Sequence, residues 1–174
     1  MPPLTYAEIQ PIAAQAAQAH DLDTLVLLSI FWLESSWRPD AVNTASWATG
    51  LGGVLSRESA GIYGSVFLTR PTVEELKDPA VNADWSARIL RGNMDRTGDD
   101  LRKAVKAYSG RWSAAGDNAF ATRYWKPFEA KLEQLRKEHV MPTITTYPRP
   151  LNDSGAGCHS GANAAFPLGD NEGL

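Results

Sequence analysis

Apolar residues recur at helical spacing along most of the chain, and this pattern predicts a protein built from α-helices. The clearest case is TLVLLSIFWLESS, residues 24–36, which is apolar around most of its circumference. A helix of that kind is buried on all sides. Asp23 is expected to cap it, and Pro39 to end it near Trp37, because proline disfavours the helical conformation in the preceding residue.

Other segments carry their own start and stop signals. Capping boxes at Thr5–Glu8 and Thr72–Glu75 predict a helix reaching about His20 and a short turn that stops before Pro79. Further helices are expected near residues 56–63, 81–98, 99–110 and 118–138, with bends at Pro11 and Pro127. No β-strand pattern and no internal repeat stands out, so the fold class is predicted to be all-α.

The character of the chain changes after His139. Residues 140–174 are rich in Pro, Gly, Ala and Asn and contain few large apolar side chains. Such a segment cannot bury enough surface to fold alone. The expected organisation is therefore a helical domain over residues 1–139 and an irregular C-terminal extension over residues 140–174, either flexible or laid against a partner.

Composition narrows the possible functions. The 174 residues are 43% apolar with a formal net charge of −3, which gives no reason to expect nucleic-acid binding. The single cysteine, Cys158, excludes an intramolecular disulfide, and the three histidines show no ligand spacing, so no metal or other cofactor is expected. The longest apolar stretch, residues 25–33, is too short to span a bilayer, and no secretory signal is recognised.

One acidic residue stands out against this background. In FWLESSWRPDAVN, residues 31–43, Glu34 follows directly on the apolar run. A carboxyl group in low-dielectric surroundings tends to keep its proton, and a proton held near neutral pH is useful for acid catalysis. The alternative is that Glu34 marks the point at which a buried helix reaches water.

Four motifs in order resemble the soluble lytic transglycosylase domain: ESSWRPDAVN, a small-residue loop with GL, DPAVNADWSARIL and AVKAYSG. The resemblance covers roughly residues 6–130. It implies the lysozyme-like helical fold that this family shares with goose-type lysozyme. It also implies a substrate, the glycan strands of peptidoglycan, cleaved at the β-1,4 bond between N-acetylmuramic acid and N-acetylglucosamine.

By this resemblance Glu34 is the single catalytic acid and then the base. The N-acetyl group and the 6-hydroxyl of the sugar attack the anomeric carbon, and the product is a 1,6-anhydro sugar formed without water. The resemblance also places Ser35 and Tyr108 near the substrate. Their structural alternatives are a helix-end hydroxyl bonded to backbone for Ser35 and a core tyrosine for Tyr108.

Two positions depart from the family pattern. Gly53 stands where the family has a substrate-binding glutamine, and Ser109 where it has an asparagine. Each loss of a polar contact would cost on the order of 1–3 kcal/mol of binding. Aromatic residues near the motifs are candidates to stack on sugars, namely Trp37, Trp47, Tyr63 and Trp112. Those on helical patterns are expected in the core, namely Trp32, Trp85 and Trp125.

Two other functions stay open. A hydrolytic, goose-type muramidase would need a second carboxylate, Glu58 or Asp84, facing Glu34. A structural virion or tail protein would keep the fold without the activity. Without a signal peptide, export is expected by a non-Sec route: as a phage lysin, as a virion component that contacts other virion proteins through the C-terminal extension, or as cargo of a secretion machine.

Overall fold

The structure is a computed structural model and describes residues 1–110 and 117–139. Helices dominate these ranges, which confirms the predicted all-α class. The α-helices are α1 (Tyr6–Ala19), α2 (Thr24–Ser35), α3 (Ala60–Tyr63), α4 (Val73–Leu76), α5 (Pro79–Thr97), α6 (Leu101–Tyr108), α7 (Asp117–Phe120) and α8 (Lys126–Glu138). The predicted extension, residues 140–174, and the candidate Trp112 lie outside the described residues.

Helix α2 is the central element, as its sequence predicts. It packs against α1, α5 and α8, and its middle residues Leu27, Leu28, Ile30 and Phe31 are fully buried. Burying side chains of this size stabilises a fold by about 1.5–3 kcal/mol each. The Asp23 carboxylate caps the helix by accepting a hydrogen bond from the Leu25 amide at 2.7 Å.

The predicted helix starts have the expected chemistry. Both capping boxes form, with the carboxylates of Glu8 and Glu75 accepting hydrogen bonds from the backbone and hydroxyl of Thr5 and Thr72. Asp100 caps α6 and accepts a hydrogen bond from the Lys103 amide at 3.0 Å.

A small antiparallel sheet was not predicted. Its strands are β1 (Val42–Asn43), β2 (Ala48–Thr49) and β3 (Val54–Leu55), with Val42 opposite Thr49 and Ala48 opposite Leu55. Strands of two residues are too short to show an alternating pattern, so the sequence carries no periodic signal for them. The sheet folds the segment between α2 and the first 3₁₀ helix (Arg57–Ser59) into a tight loop.

The C-terminal helical segment runs without a break from Asp117 to Glu138, but one turn, Ala121–Trp125, is a π-helix. It lies just before Pro127, where the sequence predicts a bend or restart. Proline has no N–H to donate to an earlier carbonyl, and a widened turn accommodates that loss. Turns of this type are frequent at functional sites.

The prediction of a core position for Trp32 is wrong. Its side chain is 40% exposed, and it covers Lys131, whose ammonium lies 5.1 Å from the Trp32 ring and 4.9 Å from the Trp37 ring. Lys131 is itself only 9% exposed. The two indoles therefore hold a cation between α2 and α8, a favourable arrangement for an aromatic face. By contrast, Trp125 packs against the hydrophobic core.

Candidate active site

Glu34 lies one residue before the end of α2, where this buried helix reaches solvent. The residue is exposed, whereas Val26–Leu28, Ile30 and Phe31 of the preceding apolar run form part of the core. The expectation that apolar neighbours enclose Glu34 is therefore wrong, because the apolar side chains of α2 point into the core below it. Residues from two distant parts of the chain surround the carboxylate instead.

Tyr124 provides the first contact. Its hydroxyl donates a hydrogen bond of 2.5 Å to Glu34 Oε1, and the tyrosine is only 7% exposed. Tyr124 belongs to the π-helical turn, which brings it to Glu34 across 90 residues of sequence. None of the four sequence motifs includes this residue. The available signal was Pro127, which marks a disturbed turn in a segment that otherwise has an ordinary helical pattern.

Gly53 provides the second contact. A β-carbon built on Gly53 would lie 2.9 Å from Glu34 Oε2, and the glycine has φ of +60°. Both features favour glycine, because a side chain would press on the carboxylate and strain the backbone. Its neighbour Gly52 is constrained by space alone, since a β-carbon there would lie 2.0 Å from Ser86 Oγ and 2.6 Å from the Tyr108 hydroxyl.

Asn82 anchors this glycine loop. The side chain is fully buried; its oxygen accepts from the Gly52 amide at 2.9 Å, and its amide donates to the carbonyls of Thr49 at 2.8 Å and Leu76 at 2.9 Å. Asn82 is the asparagine of the DPAVN motif, and Asp78 of the same motif caps α5 through the Ala80 and Val81 amides. The motif thus begins a helix and fixes the loop beside Glu34.

Tyr108 completes the anchorage from α6. Its hydroxyl donates to the Gly52 carbonyl at 2.8 Å. Burial above all, together with the nearby charge of Glu34, raises the pKa of the Tyr108 hydroxyl, although Ser86 and Arg70 act in the opposite direction. Tyr108 therefore stays protonated at neutral pH and acts as a donor. Tyr108 thus holds the glycine loop that faces Glu34, while its predicted contact with the substrate stays a prediction.

The hydroxyls of Ser35 and Ser109 form hydrogen bonds with backbone carbonyls. The Ser35 hydroxyl is 6% exposed and lies within hydrogen-bond distance of the carbonyls of Phe31 (3.0 Å) and Leu51 (2.9 Å), so it ties the end of α2 to the glycine loop. The Ser109 hydroxyl donates to the Lys106 carbonyl at 2.7 Å at the end of α6. These contacts match the helix-end alternative for Ser35.

The predicted sugar-stacking aromatics occupy different environments. Trp47 is half-buried in the turn before β2, with φ of +59°. Tyr63 ends α3 and is 51% exposed, with its ring 6.0 Å from that of Phe67. Trp37 packs on the core and donates through its indole N–H to the Leu28 carbonyl at 3.0 Å, which gives it a structural role.

The carboxylates of Glu58 and Asp84, the two candidates for a second acid, make other contacts. Glu58 Oε2 accepts from the Val73 amide at 3.1 Å. Asp84 Oδ1 lies 2.8 Å from His20 Nε2 and joins α5 to the end of α1. Each carboxylate thus has a partner other than Glu34.

Over residues 1–110 and 117–139, no group of His, Cys, Asp and Glu is arranged to hold a metal ion. None of the helices there has the length and apolar content needed to cross a membrane.

Known proteins indicate the family to which the chain belongs. A search of curated proteins finds no match for the chain. The family model described as "Transglycosylase SLT domain" matches residues 11–129, from within α1 into α8. The matched range includes Glu34, Gly53, Asn82, Tyr108 and Tyr124. The chain therefore belongs to the transglycosylase SLT domain family, and this membership supports cleavage of peptidoglycan of the lytic transglycosylase type.

Proposed function

We propose that the protein is a peptidoglycan lytic transglycosylase in which Glu34 serves first as the acid and then as the base. The observation that carries the proposal is the position of its carboxylate, held by the Tyr124 hydroxyl at 2.5 Å and facing Gly53 on the anchored loop. An acid must be fixed next to the leaving oxygen to transfer a proton efficiently.

The proposed reaction balances without water. Glu34 donates a proton to the glycosidic oxygen as the bond from the anomeric carbon to that oxygen breaks, and the acetamido oxygen of the muramic acid bonds to the anomeric carbon. The Glu34 carboxylate then takes the proton of the 6-hydroxyl. The 6-oxygen displaces the acetamido oxygen, which leaves a 1,6-anhydro ring and returns the proton to Glu34.

Commitment of Glu58 and Asp84 to other contacts supports this route over hydrolysis. A hydrolase of the two-carboxylate type needs a second acid within about 5–10 Å of the first, on the other side of the sugar. Glu58 and Asp84 were the sequence candidates, and their carboxylates bind the Val73 amide and His20 instead. A single-acid mechanism requires no such partner.

Digestion of purified sacculi tests the proposal. We expect the protein to release muropeptides with anhydro ends. These are lighter than the reducing-end products of hydrolysis by about 18 Da, the mass of the one water that hydrolysis consumes. Glu34→Gln should abolish release while Glu58→Gln and Asp84→Asn, matched carboxylate-to-amide controls, retain it. Reducing-end products would establish the hydrolase instead. No release by the wild-type protein, or equal release by Glu34→Gln, would contradict the proposed role of Glu34.

A further inference from the structure

One buried residue of α8 is charged. The buried side chains of α8 and of the π-helical turn before it form a stripe at helical spacing, and α8 packs against α2. The members of this stripe are Tyr124, Phe128, Lys131, Leu132 and Leu135. Lys131, which is 9% exposed, therefore occupies a position at which the pattern predicts an apolar residue.

The ammonium of Lys131 lies against aromatic rings. It is 5.1 Å from the ring centre of Trp32 and 4.9 Å from that of Trp37, and it donates to Gln134 Oε1 at 3.4 Å. Over residues 1–110 and 117–139, Lys131 forms no ion pair. A methionine of similar length would fill the same space without burying a charge, so packing alone does not account for a lysine here.

The two indoles flank Glu34 along the chain. Trp32 lies in the last turn of α2, two residues before Glu34, and Trp37 follows the end of this helix, three residues after Glu34. The ammonium of Lys131 thus joins the last turn of α2 to the turn that follows it. Tyr124, whose hydroxyl donates to Glu34, lies seven residues before Lys131 on the same helical segment.

The turn that Lys131 contacts has a strained backbone. Ser36 and Trp37 have φ of +53° and +62°, in the left-handed region that residues with a side chain rarely adopt. Other contacts also hold Trp37 there, since its indole N–H donates to the Leu28 carbonyl at 3.0 Å and its own carbonyl accepts from the Leu4 amide at 2.9 Å. Such strain persists only where the surroundings hold it, so the loss of one contact lets the end of α2 shift.

We propose that Lys131 is a positioning residue for Glu34. Its ammonium holds the two indoles that flank the acid, and so fixes the end of α2 against the helical segment that carries Tyr124. A misplacement of about 1 Å in a reacting group costs about 100-fold in rate, so a contact of this kind affects an acid strongly. This inference rests on the proposed function, because it gives Lys131 a part in the work of Glu34.

Two substitutions separate the charge of Lys131 from its packing. Lys131→Met keeps the length and the apolar stem, whereas Lys131→Arg keeps a cation that stacks on indoles. We expect Lys131→Met to stay about as stable as the wild-type protein, because an apolar side chain replaces a buried charge. Its maximal rate of muropeptide release should fall about tenfold at an unchanged half-saturating concentration of sacculi, and Lys131→Arg should stay within about threefold of wild type.

A second substitution shows whether the effect passes through the acid. In a Tyr124→Phe background the contact with Glu34 is already lost, so Lys131→Met should lower the rate by less than about twofold there. A lysine that only supports the fold would lower the rate by the same factor in both backgrounds. Lys137→Met is the control, because Lys137 lies on the same helix, is exposed and pairs with Glu133. It should leave the rate unchanged.

The hydroxyl proton of Tyr124 reports on the same geometry without any cleavage. A short hydrogen bond to a carboxylate moves this proton downfield in the NMR spectrum, and its absence from Tyr124→Phe assigns the signal. We expect the signal to shift or disappear in Lys131→Met and to stay in Lys131→Arg and Lys137→Met. If the wild-type protein releases no muropeptides, the proposed function fails, while this signal still decides the role of Lys131.

Three results would overturn the role of Lys131: an unchanged Tyr124 signal in Lys131→Met, an equal loss of rate in Lys131→Met and Lys131→Arg, or an equal loss with and without Tyr124. Thermal unfolding checks that each variant is folded. Should Lys131→Met not fold, Trp32→Leu removes one of the two indole faces at a position that is 40% exposed. An unchanged Tyr124 signal in folded Trp32→Leu would overturn the proposal equally.

Discussion

Replacing Asn82 with alanine tests whether one buried amide holds the glycine loop in place. The side chain is fully buried and bonds to the Gly52 amide and to the Thr49 and Leu76 carbonyls at 2.8–2.9 Å. Asn82→Ala leaves these three backbone groups without their partner. An unsatisfied buried polar group costs about 1–3 kcal/mol, so three of them cost roughly 3–9 kcal/mol, and we expect a loss of at least about 3 kcal/mol in the free energy of unfolding.

This is a large part of the total, since domains are typically stable by about 5–15 kcal/mol. At about 2–4 °C per kcal/mol for a chain of this size, a loss of about 3 kcal/mol lowers the melting temperature by roughly 6–12 °C, and this is the smallest fall that we expect. Urea unfolding monitored by circular dichroism gives the free energy, and a thermal scan gives the melting temperature. Release of muropeptides should fall as well, because the loop that faces Glu34 is no longer fixed.

Asn93→Ala is the matched control. Asn93 lies on the same helix and is 2% exposed, but its amide has a single backbone acceptor, the Ala104 carbonyl at 3.3 Å. We expect it to lose about 1–2 kcal/mol. If the two variants lose the same free energy within about 0.5 kcal/mol, which is the usual limit of such comparisons, the anchoring role of Asn82 is refuted.

Two further perturbations address the acid and a helix start. Tyr124→Phe removes the hydroxyl that donates to Glu34 at 2.5 Å; because hydrogen bonds to charged groups contribute about 1.5–3 kcal/mol, the initial rate of muropeptide release should fall about 10–100-fold. An unchanged rate would show that this contact does not position Glu34. Hydrogen bonds from the Thr72 backbone and hydroxyl lower the pKa of Glu75 below its ordinary value of 4.5. A depressed folded-state pKa contributes stability that is present above pH 4.5 and is lost as the pH falls through the folded value. Glu75→Gln should therefore flatten the fall in melting temperature between about pH 5 and pH 3, whereas parallel curves for the two proteins would contradict the capping argument.

Much of the helical framework could be predicted from local chemistry. Asp23, the two threonine–glutamate capping boxes and Asp100 begin helices where the sequence places them, because a side-chain oxygen satisfies amides that the first turn leaves without partners. Gly98 ends α5 in the left-handed conformation that glycine adopts easily. These features depend on residues within four positions of one another, so a single sequence contains them.

The contacts around Glu34 depend on residues far apart in the chain, and the sequence could not supply them. Tyr124 lies 90 positions from Glu34, and Asn82 lies 30 positions from Gly52. Exposure was equally hard to predict, since Trp32 follows a helical apolar pattern but is 40% exposed and has the ammonium of Lys131 over its ring. Periodicity predicts which face of a helix is apolar, not which other helix covers it.

The backbone at Gly53 also explains a departure that otherwise favours an inactive relic of the fold. The family pattern has glutamine at this position, and its absence suggests a lost substrate contact. Here, however, φ is +60° and a β-carbon would lie 2.9 Å from Glu34 Oε2, so any side chain would strain the loop and displace the carboxylate. Asn82 and Tyr108 hold that same loop from two helices. The loop that faces Glu34 is therefore fixed by two helices even without the glutamine of the family, and this geometry supports the proposal of a working Glu34.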